Sequence, residues 1–161
     1  MGKLQQFTLR LPEQVFCALV DQARDEGLEV ADYAQTAILR HVASRSGDRN
    51  KFDQLLAEAD LKAKAAEIAR RVSPPNAFDQ HVTLKVFREI REKIPDLYLT
   101  AIGGGTGFER GNPQKAKLNR AIGSTVKAAL GASSTDGEGR VTKVEVSGEF
   151  CFSYTLLWPV E

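Results

Sequence analysis

Three polar side chains near the N-terminus alternate with apolar ones in a way that could place them together on one surface. Residues 6–12 read QFTLRLP, and an extended chain puts Gln6, Thr8 and Arg10 on one face with the apolar side chains on the other. Amide, hydroxyl and guanidinium groups are the donors and acceptors that recognise base edges in the major groove of DNA. The segment therefore predicts a strand whose polar face contacts DNA.

Such a strand needs a partner for its backbone groups. No second strand pattern occurs within residues 1–46, so the chain itself offers none nearby. The simplest partner is the same segment of a second copy, paired antiparallel about a two-fold axis. We therefore expect a homodimer or higher homo-oligomer, with Lys3 adding a positive charge beside the polar face.

Other candidate sites are weaker. The glycine-rich residues 102–108 follow an apolar run, but they lack the spacing of a dinucleotide-binding or phosphate-binding loop and indicate a turn. A basic cluster follows at the start of a predicted helix, and it could contact DNA phosphates or form a solvated helix face. The cluster consists of Arg110, Lys115, Lys117 and Arg120.

No residue pattern indicates a metal site or catalysis. His41 and His81 have no Cys or His at ligand spacing, and no Ser/His/Asp or Cys/His signature is present. Cys17 and Cys151 lie in amphipathic patterns typical of small buried hydrophobic residues. We expect no enzyme, no cofactor and no metal.

The polar segment is followed by two short amphipathic helices. Pro12 suits an early helical position, residues 13–26 carry apolar side chains at helical spacing, and Gly27 is the expected terminator. A second helix is predicted over residues 30–44. A unit of this size is too small to bury its own core, which again favours an intertwined dimer.

The order of polar segment, helix, glycine and helix resembles the ribbon-helix-helix DNA-binding family, most closely its Arc and methionine repressor branch. The resemblance covers residues 4–44 and implies that Gln6, Thr8 and Arg10 read base edges in the major groove. In the family the start of the second helix clamps a DNA phosphate, which corresponds here to Val30 and Ala31. This chain differs there, because Glu29 and Asp32 disfavour a phosphate.

The pattern beyond a polar linker at residues 45–50 predicts a second domain, over residues 51–161. It begins with a leading helix at 51–71, and Asn112-Pro113 would open a later helix. The further predicted elements are a helix at 77–93, a buried strand at 97–102, a helix to about 130, and strands at 140–147 and 149–159 joined by a hairpin. The expected fold class is α+β, with an N-terminal β-α-α unit and a small C-terminal domain containing a three-stranded sheet.

Composition limits the function. Of the 161 residues 42% are hydrophobic and 27% charged, and no apolar run approaches a membrane span, so we expect a cytoplasmic protein without a membrane partner. The net charge is only +1, and residues 1–46 contain five Lys/Arg against six Asp/Glu. Nonspecific affinity for DNA should therefore be weak, and specificity must come from a few side chains.

The sequence thus predicts a bacterial transcriptional regulator that binds double-stranded DNA at a pseudo-palindromic operator. The second domain would set the oligomeric state, contact RNA polymerase or receive a signal. The general build suggests a conjugative plasmid or another mobile element. Two alternatives stay open: an accessory DNA-binding protein of a relaxosome or partition complex, and the antitoxin of a toxin-antitoxin pair.

Overall fold

A computed structural model describes residues 8–47 and 52–160 of the chain. These residues form six α-helices and two short strands, with one 3₁₀ turn at Pro75–Ala77. The helices are α1 (Glu13–Glu26), α2 (Val30–Arg45), α3 (Asp53–Val72), α4 (Val82–Lys93), α5 (Pro95–Ala101) and α6 (Pro113–Ala129). The strands are β1 (Lys143–Glu145) and β2 (Ser153–Thr155). The described chain is therefore mainly helical, and the predicted α+β fold class is wrong.

The N-terminal β-α-α unit is not present in the described residues. Residues 8–12 contain no strand, and Pro12 is in an extended conformation immediately before α1. Residues 6 and 7 of the predicted strand lie outside the described residues. The physical reason is that a strand needs a partner for its backbone groups. No segment of the described chain forms a strand pair with residues 8–12.

The two helices that follow were predicted correctly, and a glycine turn joins them. Gly27 has a φ of 67°, its N–H bonds to the carbonyl of Arg24 at 2.9 Å, and the N–H of Leu28 bonds to the carbonyl of Ala23 at 2.8 Å. This pair of bonds is a Schellman motif. The guanidinium of Arg70 on α3 donates to the carbonyls of Arg24 and Asp25 at this helix end, so α3 anchors the turn.

The hydrophobic core lies in the C-terminal part of the chain. Helix α3 packs against α4, α5 and α6, and small side chains such as Ala65 and Ala69 allow close approach of the backbones. Phe87 and Tyr98 fill the interior. Every residue of the core cluster lies between positions 57 and 157, so α1 and α2 contribute nothing to it.

The predicted strand at residues 97–102 is instead helix α5. Pro95 occupies the first turn of this helix, where the missing N–H of proline costs nothing. Tyr98 and Ala101 are three residues apart and both are buried, so the apolar side chains fit a helical face. A short apolar run has no periodicity that separates strand from helix, and α3 decides the outcome by packing along it.

The predicted three-stranded sheet is also wrong. The described sheet has two antiparallel strands, with Val144 opposite Tyr154, and each strand is only three residues long. The antiparallel pairing of the predicted hairpin is present, but its strands are shorter than the predicted 140–147 and 149–159, and residues 146–152 join them. With residues 97–102 helical, the only further pairing among the described residues is a single antiparallel bridge between Ser133 and Trp158.

Within the described ranges, no helix is both long enough and apolar enough to cross a membrane.

Candidate nucleic-acid interface

The described part of the predicted base-reading segment is exposed. Thr8 and Arg10 lie at the surface, and neither side chain has a hydrogen bond or ion pair with another described residue. Both are therefore free to contact a ligand in this single chain. Gln6 and Lys3, the other two candidates of this segment, lie outside the described residues.

An uncovered apolar surface adjoins this segment on α1 and α2. Only Ala23 is buried in α1, and only Thr36 and Ala43 are buried in α2. The exposed large apolar side chains are Leu9 (59% exposed), Leu11, Val15, Phe16 (51%), Ile38 and Val42. We call these six residues the N-terminal apolar face. The described chain thus leaves these six large apolar side chains exposed at the surface.

The first backbone N–H groups of α2 have no partner within the helix, and two acidic residues, Glu29 and Asp32, lie beside them. Val30 and Ala31 precede the first helical hydrogen bond, in which the N–H of Tyr33 bonds to the carbonyl of Glu29 at 2.9 Å. Glu29 is the N-cap residue of α2, and its side chain makes no capping hydrogen bond. Asp32 lies 3.2 Å from the ammonium group of Lys62, which offsets one of the two negative charges.

The structure divides the predicted basic cluster. Lys117 and Arg120 are exposed on α6, whereas Lys115 is only 3% exposed. The ammonium group of Lys115 donates to the carbonyl of Glu109 at 3.1 Å and lies 3.9 Å from the centre of the Phe152 ring. Burial lowers the pKa of Lys115, and Glu109 acts in the opposite direction. Lys115 therefore serves the interior and is not placed to contact a DNA phosphate.

Arg110 lies against the same aromatic ring from the loop before α6. Its guanidinium carbon is 5.0 Å from the centre of Phe152, a distance that permits a cation–π interaction. The helix start itself is as predicted, because the side chain of Asn112 accepts a hydrogen bond from the N–H of Lys115 at 3.1 Å. Arg110, Lys117 and Arg120 are thus the cations of the cluster that solvent reaches.

The glycine-rich loop holds a carboxylate of its own. Glu109 accepts a hydrogen bond from the N–H of Thr106 at 2.6 Å and another from the hydroxyl of Thr106 at 2.9 Å. These bonds, the backbone donor first, lower the pKa of Glu109 to about 2. A donor set that is already occupied by a carboxylate fits the predicted turn, and a phosphate at these donors would have to displace it.

The histidines and cysteines do not form a shared centre. His41 is exposed on α2, and the Nδ1 atom of His81 lies 2.6 Å from the hydroxyl of Tyr154. Among the described residues, no group of three or more His, Cys, Asp or Glu is placed to hold a metal ion. Cys151 is buried as expected, whereas Cys17 is exposed, so the prediction of two buried thiols is half wrong in the single chain.

The sequence analysis did not predict a second cationic surface. Lys127 stands two turns after Arg120 on α6, and Lys143 on β1 faces the same cavity. The spacing of Arg120 and Lys127 could have indicated a shared helix face. Lys143 joins them only because the hairpin folds back over α6, and no signal in the sequence indicates that contact.

No family model, no curated protein and no solved structure matches this chain.

Proposed function

We propose that this chain is a sequence-specific DNA-binding protein that acts as a homodimer and regulates transcription. One observation carries the proposal: the exposed polar side chains of Thr8 and Arg10 lie directly beside the uncovered N-terminal apolar face. A second copy that covers this face about a two-fold axis would bring two such segments together. The helix, glycine and helix that the resemblance to the ribbon-helix-helix family implied are present as α1, Gly27 and α2, and this part of the resemblance supports the same function.

The need for a second copy follows from the burial pattern. Polar contacts join the hairpin of α1 and α2 to α3, among them the ion pair between Arg40 and Asp60 at 2.8 Å. The six large apolar side chains of the N-terminal apolar face, four of them on α1 and α2, stay exposed. Burying apolar area contributes roughly 25 cal/mol per Å², so a face of several side chains is a substantial driving force for association. The same apolar face of a second copy can pack against it about a two-fold axis, because both faces are apolar.

The polar segment then reads base edges. Arg10 would donate to N7 and O6 of a guanine, Gln6 would pair with an adenine or another base edge, and Thr8 would contact a thymine methyl group or a base acceptor. A two-fold dimer requires a pseudo-palindromic site. Phosphate contacts would come from Lys3 and from the exposed cations Arg110, Lys117 and Arg120, with the donors of Val30 and Ala31 at the start of α2.

The biological setting is part of the proposal. We infer a cytoplasmic bacterial regulator, with a mobile element or conjugative plasmid as its source and RNA polymerase as a further partner. An accessory protein of a relaxosome or partition complex would use the same surface on different DNA. An antitoxin is less well supported, because a tail that captures a toxin is often disordered until bound, whereas residues 57–157 contain their own core.

Footprinting of the full chain on the DNA upstream of its own gene tests the proposal. We expect protection of a pseudo-palindrome, and Arg10→Ala should weaken that specific binding by about 1–3 kcal/mol, or roughly 5- to 150-fold. Arg10→Lys keeps the charge but loses the two-pronged donor geometry, so its affinity for the site should lie between those of the wild type and Arg10→Ala. Arg140→Ala, which removes a charge paired with Asp136 far from this segment, is the control.

The outcomes separate the alternatives. Protection at a transfer origin or partition site in place of a promoter would favour the accessory protein. Equal affinity of the wild type and Arg10→Ala for the protected site would contradict base reading by this segment. A failure of the wild type to prefer any site over random DNA would remove the proposed function altogether.

A further inference from the structure

A groove of about 590 Å³ lies between α6 and the β1–β2 hairpin, and no residue of the N-terminal apolar face lines it. One stripe of α6 forms its first wall, and Lys143, Ser153 and Thr155 of the hairpin form the second. The stripe consists of Ala116, Asn119, Arg120, Gly123, Ser124 and Lys127. A volume of this size matches a small-molecule site.

The charges around this groove are of one sign. Arg120, Lys127 and Lys143 line it, and no Asp or Glu does. Four other cavities of the described chain each contain at least one carboxylate in their lining. None of the three cations forms an ion pair with a described residue. Positive charges that converge on a concave surface without a counter-charge favour an anionic occupant.

The floor and walls add a second requirement. Phe87, Tyr154 and Leu157 form an apolar floor and are almost fully buried themselves. The hydroxyl groups of Ser124 and Thr155 lie on the walls, and neither bonds to another described residue. An occupant that uses both features has a charged group for the cations and an apolar or aromatic body for the floor.

Gly123 keeps the groove open. It lies in the interior of α6, where glycine costs about 1 kcal/mol relative to alanine. A Cβ built at this position would meet nothing within 4 Å, so packing does not require the glycine. Its helical backbone does not require it either, because its φ is not positive. A larger side chain here would project into the groove.

We propose that this groove binds a small organic anion, a phosphate or carboxylate carried on an apolar or aromatic body. A DNA backbone fits the same cations less well, because its convex, polar surface would leave the apolar floor unfilled. The site is separate from the proposed DNA-reading segment and shares only Arg120 with the proposed phosphate contacts, so its test with small anions does not depend on the proposed function. With this site, the C-terminal part of the chain would bind a small ligand.

Binding to the full chain can be measured by calorimetry with a matched set of naphthalene compounds. The probes are 1-naphthyl phosphate, 1-naphthoate and neutral 1-naphthol, which share one ring system and differ in charge. We expect the phosphate or the carboxylate to bind and the neutral alcohol to bind at least about tenfold more weakly, because the alcohol lacks the contacts to the cations. The tighter of the two anions identifies the group that the site prefers.

Variants locate the binding on the groove. Lys127→Gln and Lys143→Gln should each weaken binding of the preferred anion by about tenfold, whereas Lys64→Gln, with the same change in charge on α3, should not. Gly123→Leu should abolish binding by filling the groove. Gly123→Ala, whose Cβ has open space, should retain it and confirms that a change at this position leaves α6 folded.

Three results would overturn the inference. One is equal affinity for naphthol and the two anions, which would indicate apolar binding alone, for example at the N-terminal apolar face. Another is anion binding that survives Gly123→Leu. The third is a set of lysine variants that weaken DNA binding in a salt-dependent manner while no naphthalene anion binds, which would assign these cations to DNA phosphates.

Discussion

Hydrogen bonds and burial shift the pKa of individual side chains in this protein. Glu109 is exposed, yet the N–H and hydroxyl groups of Thr106 hold its pKa at about 2. Cys151 shows the opposite effect, because burial raises the pKa of its thiol to about 11. Residue type alone predicts neither behaviour, since a carboxylate or thiol in water titrates near its ordinary value.

Cys151 should be unreactive in the folded protein. A thiol with a pKa of about 11 has almost no thiolate at pH 8, and its side chain is only 1% exposed. We expect the Cys17→Ser variant to show no reaction with Ellman's reagent under native conditions and one thiol per chain after unfolding. Rapid native reaction would mean that the hairpin opens over Cys151.

Glu109 should make stability fall in acid. Its folded pKa of about 2 lies below the ordinary value of 4.5, so its hydrogen bonds stabilise the fold above about pH 4.5 and are lost as the pH falls towards 2. Chemical unfolding should therefore show Glu109→Gln less stable than the wild type at pH 6, with the difference shrinking at pH 2.

The control for this prediction is Glu145→Gln, which removes another exposed carboxylate, on β1. Its stability difference should not follow the same pH dependence. A Glu109 carboxylate that titrates near 4.5 by carbon NMR would contradict the hydrogen-bonded loop.

At the scale of elements, the turn between α1 and α2 is fixed from two sides. Gly27 supplies the left-handed conformation, and Arg70 of α3 donates to the carbonyls of Arg24 and Asp25. A Cβ on Gly27 would lie 1.9 Å from a guanidinium nitrogen of Arg70. The sequence indicated the glycine as a helix terminator, while the contribution of an arginine 43 positions later required the packed structure.

Gly27→Ala should therefore destabilise the chain by about 1–2 kcal/mol, through the left-handed backbone and the displaced guanidinium. In an Arg70→Ala background the same substitution should cost less, because the clash is gone and only the backbone penalty remains. Urea unfolding of the four proteins measures this coupling. Additive effects would show that Arg70 does not occupy the space beside Gly27.

At the scale of the whole molecule, the chain combines one complete core with one incomplete one. The core of residues 57–157 is closed within a single chain. The hairpin of α1 and α2 presents its apolar face to solvent and touches the rest through α3. A second copy would complete the smaller core, as the proposed function requires.

Phe16→Asp should separate association from folding. Phe16 is half exposed on the N-terminal apolar face, so a charge there costs little in the single chain but would be buried in a dimer. By sedimentation we expect a dimer for the wild type at micromolar concentration and a monomer for the variant, with unchanged circular dichroism. Val141→Asp, at another exposed apolar residue, should remain dimeric. A wild type that sediments as a monomer would contradict the proposal.

The sequence by itself determined the elements whose signals are local. The helices α1, α2, α3 and α6 were predicted because caps, glycine and proline act within one turn of the chain. The residues proposed to read bases also came from the sequence alone, because alternation along one segment needs no tertiary contact. Their function remains a prediction for the same reason.

Only the tertiary structure decided the rest. Residues 97–101 form part of helix α5 because α3 packs along it, and the predicted three-stranded sheet is reduced to two short strands as a result. Burial removed Lys115 from the basic cluster, and the fold of the hairpin brought Lys143 to Lys127. These cases have the same physical reason. Packing between segments that are distant in sequence determines which side chains are buried and which lie close together, and a local sequence pattern predicts neither.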